Sequence, residues 1–120
     1  MVKLTFALRR APHLSREEFQ RYWREQHAPL VAKHREALGI RRYVQVHTLD
    51  LPANDALRGS RGAPPEYDGV AELWFDSAEL PNTDEARAAG AELLEDERRF
   101  IDLEHSPLWL SEEKPIIDGP

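Results

Sequence analysis

The residues from Ser15 to Gly39 constrain this chain more than any others. In "SREEFQRYWREQHAPLVAKHREALG", Phe19, Trp23, His27, Leu30, Val31, His34 and Leu38 recur at the three-and-four spacing that puts side chains on one helical face. Ser15 can cap that helix, Glu18 can reach back to complete a capping box, and Leu14 can staple onto Phe19. Gly39 supplies the left-handed stop. A stripe this apolar has to be buried, so the chain needs a second layer to receive it. Two features of the stripe need explaining. His27 points inward, and Pro29 removes the amide that would bond the carbonyl of Glu25, a defect worth roughly 3 kcal/mol in a helix interior. A kink there leaves polar backbone beside the imidazole.

The second layer is a sheet. Val2, Leu4, Phe6 and Leu8 alternate with Lys3, Thr5, Ala7 and Arg9, the period of a half-buried strand. After the helix, "IRRYVQVHTL" reads as strand two, with Val44 and Val46 on one face and Tyr43, Gln45 and His47 on the other. Residues 50–66, "DLPANDALRGSRGAPPE", lack periodicity and read as a long mobile loop. Strand three is "YDGVAELWF", in which Ala71, Leu73 and Phe75 oppose Val70, Glu72 and Trp74. A second helix follows Pro81, with Asn82 and Glu85 as its capping box, and a last strand runs from about His105 to Leu110. Strand, helix, strand, strand, helix, strand is the ferredoxin-like order, an α+β fold with two helices on one face of a four-stranded antiparallel sheet. Residues 1–120 form one domain.

Two helices cover one sheet face, expected to carry Leu4, Phe6, Val44, Val46, Leu73, Phe75, Leu108 and Leu110. The other would present Thr5, Ala7, Tyr43, Gln45, His47, Val70, Trp74 and Trp109, too aromatic to leave to water. A homodimer, sheet against sheet about a two-fold axis, covers it economically. A monomer with scattered exposed aromatics is the alternative.

Composition excludes several functions. The absence of cysteine removes thiolate metal sites, a cysteine nucleophile and disulfides, and it fits a reducing cytoplasm. A formal charge of −6 with scattered arginines lacks the basic footprint of a nucleic-acid partner. No apolar run reaches membrane length, so no membrane partner is expected. There is no His-x-x-x-His pair, glycine-rich phosphate loop or nucleophile elbow, so neither metal nor cofactor is expected.

The stretches "MVKLTFALRRAPHLSREEFQRYWREQHAPLV", "RRYVQVH", "YDGVAELWFDS" and "FIDLEHSPLWL" together resemble the EthD family of dimeric α+β barrel proteins. The most specific piece runs from "LSREEFQRYW" through His27 and Pro29, supported by Tyr67, Asp68 and Gly69 and by Phe100 and Asp102. The resemblance implies a ferredoxin-like protomer that pairs its sheets into a barrel. About reaction it implies little. The family takes its name from a protein of ethyl tert-butyl ether degradation, and similar fungal proteins are associated with decarboxylation or dehydration of aromatic polyketides. Related barrels include lactone isomerases, polyketide cyclases and cofactor-free monooxygenases. The loop over residues 50–66 varies in such proteins and is expected to shape the pocket, so substrate identity is not carried over.

Three residues are candidates for catalysis. His27 can take or give a proton near neutrality, Asp68 is the carboxylate expected to partner it, and Tyr43 can donate a hydrogen bond to an enolate oxygen. Each has a structural reading as well: His27 bonds the carbonyl freed by Pro29, Asp68 caps a turn, and Tyr43 packs in a dimer core. Trp23, His47, Trp74 and Phe100 are the candidate contacts for a small hydrophobic or aromatic metabolite. His34 is expected to cap the helix–sheet core, while His13 and His105 sit near element ends.

These residues support a cofactor-independent enzyme of lyase or isomerase type, moving a proton on an aromatic or cyclic carbonyl compound. A non-catalytic metabolite-binding or accessory protein and a cofactor-free monooxygenase are the alternatives. A cavity beside His27, between the first helix and the sheet with residues 50–66 at its mouth, separates the enzyme readings from the accessory one.

Overall fold

The computed structural model describes all of Met1–Pro120. The four strands are β1 (Val2–Leu8), β2 (Arg42–His47), β3 (Gly69–Phe75) and β4 (Leu108–Ser111). They pair antiparallel in the order β2-β3-β1-β4, the ferredoxin-like arrangement. Between β1 and β2 run α1 (Arg16–Tyr22), a π-helical turn (Trp23–His27), α2 (Ala28–Lys33) and α3 (Arg35–Leu38). Between β2 and β3 lies α4 (Pro52–Arg61), and between β3 and β4 lie α5 (Asp84–Glu97) and a 3-10 turn (Leu103–His105).

The caps act as their sequence suggests. The Ser15 hydroxyl accepts from the Glu18 amide at 3.1 Å while the Glu18 carboxylate accepts from the Ser15 amide at 2.9 Å. Gly39 ends α3 with φ of 68°. For α5 the cap is Thr83 rather than the expected Asn82; its hydroxyl accepts from the Ala86 amide at 3.0 Å.

Pro29 does not break the helix open. The strain is taken up upstream, where the Ala28 amide reaches back five residues to the Trp23 carbonyl and the turn from Trp23 to His27 widens into π geometry. That spacing relieves the clash a proline ring makes with an α-helical carbonyl four residues earlier. The Trp23 carbonyl also accepts from Gln45 Nε2 at 3.0 Å, which ties the widened turn to β2. A second interruption falls at His34, whose backbone leaves helical geometry between α2 and α3.

Strand register corrects one expectation. Residues paired across neighbouring strands share a face, and Tyr43 pairs with Leu73, which pairs with Leu4. Tyr43, Gln45 and His47 therefore face the helices, and Val44 and Val46 lie on the open face with Thr5, Val70, Trp74 and Trp109. Hydrophobicity alone misplaced β2 because the helical face of this edge strand meets backbone carbonyl and ring atoms of Trp23, which suit amide and imidazole groups as well as aliphatic ones.

The loop expected over residues 50–66 contains α4, a ten-residue helix that Pro52 begins and Gly62 ends at φ of 59°. It buries no residue. Polar contacts hold it, chiefly Arg58 to Glu66 at 3.0 Å and Asn54 Nδ2 to the Leu49 carbonyl at 2.6 Å.

The core is divided. Phe6, Leu8, Phe19, Trp23, Ala71, Phe100 and Ile101 form one cluster, and Val31, Ile40 and Phe75 form another. Helix and sheet are clamped at Gly69, where an added Cβ would lie 2.5 Å from the Trp23 ring and 3.0 Å from the Val46 carbonyl. Neither neighbour can move, one being a fully buried indole and the other strand backbone. Gly69→Ala should therefore lower stability by about 1–3 kcal/mol, the usual cost of overpacking a tight core. Urea unfolding checks this, and a variant as stable as wild type would show that the helix is not seated as described.

Candidate active site

The two core clusters leave a cavity of about 160 Å³ between helices and sheet. Its lining is almost wholly apolar, with Leu4 and Phe6 from β1, Trp23 and Val31 from the helical layer, and Leu73 and Phe75 from β3 among its walls. Leu108, on the edge strand β4 and 55% exposed, marks an open side. Two of the sixteen lining residues are not hydrophobic, His27 and Glu97.

His27 is 5% exposed and closes the π turn, which sets its ring facing α5. Its Nδ1 lies 2.7 Å from Asp96 Oδ2, and the ring packs against Phe100 with centroids 5.0 Å apart. Asp96 is itself buried and accepts from the Tyr22 hydroxyl at 2.6 Å and from Arg99 Nη1 at 3.0 Å. Burial pushes the Asp96 carboxyl upward, but hydrogen bonds from Tyr22, His27 and Arg99 outweigh it and hold the group below its ordinary value. Burial also drives the His27 imidazole below its usual value, with Asp96 opposing in part. The pair thus consists of an ionised carboxylate and a neutral imidazole whose Nδ1–H donates. Nε2 is then the unprotonated nitrogen. It has no protein partner, and His27 is one of the residues lining the cavity.

Glu97 sits on α5 beside Asp96 and makes no ion pair. Burial first, and then the Asp96 charge, push its carboxyl up to about 7. Near neutrality it exchanges a proton readily. Tyr43 also lines the cavity, its hydroxyl oxygen accepting from Gln45 Nε2 at 2.8 Å. Burial raises its pKa, so the phenol keeps its proton. The cavity is therefore lined by an imidazole, a titrating carboxyl and a phenol among otherwise apolar walls.

The other expected residues are distributed differently. Asp68 is 3% exposed but belongs to a separate cluster, accepting from the Arg10 amide at 2.8 Å, Arg10 Nη1 at 2.9 Å and Arg16 Nε at 3.0 Å. It does not line the cavity, and the carboxylate that partners His27 is Asp96. Trp23 lines the cavity, whereas Phe100 backs the imidazole from outside the lining. His47 stacks on Trp23 at 4.6 Å and binds Gln45, so it supports the wall without forming it. Trp74 lies on the opposite face of the sheet, covered by Lys3 and Arg42 over its ring and by Glu113 accepting from its Nε1 at 2.5 Å. No residue of 50–66 reaches the cavity, so the expected mouth is not there. His34 pairs with Glu92 at 3.0 Å on the rim of the helical layer instead of capping the core.

Asp96 and Glu97 were missed in the sequence because "LLEDERR" reads as a solvated acidic run. A signal was present: Ala86, Ala89, Leu93 and Phe100 mark the buried side of α5, and Asp96 and Glu97 occupy the steps between Leu93 and Phe100 where aliphatic residues belong. No group of three or more His, Asp or Glu side chains converges so as to hold a metal ion. No helix is long and apolar enough to cross a membrane.

Comparison with known proteins agrees with this architecture. The EthD domain model matches residues 11–104. An EthD family protein of Bacillus halodurans C-125 superposes with a TM-score of 0.61 at 24% identity, over 95% of this chain and 99% of its own. An EthD-like protein of Ralstonia eutropha JMP134 superposes with a TM-score of 0.57 at 24% identity, over 92% of this chain and 89% of its own. No curated protein matches the sequence. With the family's domain matched across most of its length and that domain's fold in its structure, the chain belongs to the EthD family.

Proposed function

We propose that this chain is a cofactor-independent enzyme of lyase or isomerase type that moves a proton on a small, enolisable, mostly apolar carbonyl compound. The observation that carries the reading is His27, whose Nε2 is left free by the Asp96 bond to Nδ1 and which lines an apolar cavity shared with Glu97. At about 160 Å³ the cavity suits a single ring, since a dry cavity of about 150 Å³ takes benzene. In the step we propose, Nε2 takes the proton from the carbon next to the carbonyl, and the bonding electron pair moves to the carbonyl oxygen. The Tyr43 hydroxyl or protonated Glu97 donates to the enolate oxygen that results. Return of the proton to another atom gives isomerisation, and loss of a β-hydroxyl as water, protonated by the imidazolium as it leaves, gives dehydration. A β-keto acid instead passes its carboxyl proton to Nε2, loses CO2 with the C–C bonding pair forming the enolate, and takes the proton back on the α-carbon, which is decarboxylation. Asp96 stabilises the imidazolium that forms in between.

Such an enzyme should exchange the α-proton of a one-ring ketone or β-keto acid for deuterium in D2O, followed by NMR. His27→Ala should lower the exchange rate about 10²–10⁴-fold with the fold intact. The rate should rise with pH as His27 loses its proton below the ordinary 6.5, and fall as Glu97 ionises near 7. Glu97→Gln keeps a neutral donor and should remove the alkaline limb. Exchange by His27→Ala at the wild-type rate overturns the mechanism. Saturable binding of such compounds with no exchange by wild type favours the accessory reading.

We also propose that the open sheet face is covered by a second copy. It carries Val46 at 45% exposure and Trp109 at 48%, beside the half-buried Val44 and Val70. Light scattering at micromolar concentration should give twice the chain mass, and Trp109→Glu should give monomer. A monomeric wild type would refute the dimer.

A further inference from the structure

Where β1 gives way to the start of α1, four of the eight residues lining an open cleft of about 390 Å³ are arginines: Arg9, Arg10, Arg16 and Arg58. In a chain of net charge −6, that concentration of guanidinium is unexpected. Asp68, at the base, accepts from Arg10 and Arg16 and fixes the two side by side. Glu66 lies across the opening. One of its oxygens accepts from Arg16 Nη2 at 3.2 Å and the other from Arg58 Nη1 at 3.0 Å. Arg9 packs over the Tyr67 ring and donates to the Pro65 and Glu66 carbonyls, which holds the segment bearing Glu66 in place.

A guanidinium has five N–H donors, and none of these four uses more than two in side-chain bonds to the protein. The two carboxylates differ in kind. Asp68 is buried with a side-chain exposure of 5%, whereas Glu66 is at 33% and makes the sort of contact a bound anion would make. Asp50 borders an adjoining recess, and Asp55 takes the outer nitrogen of Arg58, so the positive charge is balanced at the rim and concentrated within. Arg58 comes from α4, which buries no residue against the core.

We infer that this cleft is an oxyanion-binding site in which a phosphate or carboxylate group replaces Glu66 between Arg16 and Arg58, with Arg10 as a further donor. Planar, paired N–H donors on a shared anion are the geometry at which arginine excels. The site is independent of the cavity chemistry, since the two share no lining residue.

The test is a titration of the full chain with inorganic phosphate and, separately, succinate, at ionic strength held constant with sodium chloride, following the arginine Nε–H signals by NMR. Saturable shifts at Arg10, Arg16 and Arg58 are expected for at least one anion, and the tighter of the two identifies the group recognised. Glu66→Gln removes the internal competitor and should tighten binding about tenfold, the scale of one charge-assisted hydrogen bond. Arg58→Ala should abolish it with the core intact. Absence of saturation in both wild type and Glu66→Gln, or unchanged binding in Arg58→Ala, overturns the proposal and leaves the arginines as a purely structural network.

Discussion

The indole of Trp23 lies against the bare backbone of Gly69 and stacks on His47, while its own carbonyl receives both the Ala28 amide and the Gln45 side chain. One residue thus sets how deep the helical layer seats on the sheet, which face of β2 turns toward it, and where the π turn begins. It is 1% exposed and belongs to the larger core cluster, yet it is also a wall of the cavity. The space next to His27 has this indole as one of its walls, between the helical layer and the sheet. Smaller groups, Val31 and Ile40, close the other end.

Placing ionisable groups in such a space has electrostatic consequences that oppose one another. Burial acts on His27 and on Glu97 alike by disfavouring the charged form, which leaves the imidazole neutral and the carboxyl close to its midpoint at physiological pH. Asp96 escapes the same fate because three donors converge on it. Adjacent residues of α5 therefore hold different protonation states, and the ionised one both orients the histidine and raises its neighbour's affinity for a proton. Divergent titration of nearby acids is the arrangement expected where proton transfer is the task.

What the sequence disclosed followed the range of the interactions concerned. Ser15 with Glu18, Gly39, and the alternation of β1 and β3 are local signals, and the structure follows them. The ferredoxin-like order came from adding those elements together. The facing of β2 was not legible, since Tyr43, Gln45 and His47 face the helices for reasons that reside in Trp23, some twenty positions away. For α4, Gly59 and Ser60 masked a helix that few contacts mark. His27 stood out as an inward histidine because its stripe is short-range information. Its carboxylate did not, because Asp96 is 69 positions distant and only the folded topology brings α5 over the π turn.

The π turn also divides the chain into two reading frames. It accommodates one more residue than the α-helical path between the same neighbours, so in a regular α-helix the apolar positions before Trp23 and those after His27 would drift out of phase by about 100°, one residue's rotation. Both sets reach the same sheet because the widened turn absorbs that rotation. Loss of any single residue between Arg24 and Gln26 would let the segment wind as a regular α-helix with Phe19 and Val31 still on one face, at the cost of the widened turn that His27 closes. In comparing relatives, a gap of one position here would therefore mark a chain that keeps the fold and loses this turn, even where the flanking residues are the same.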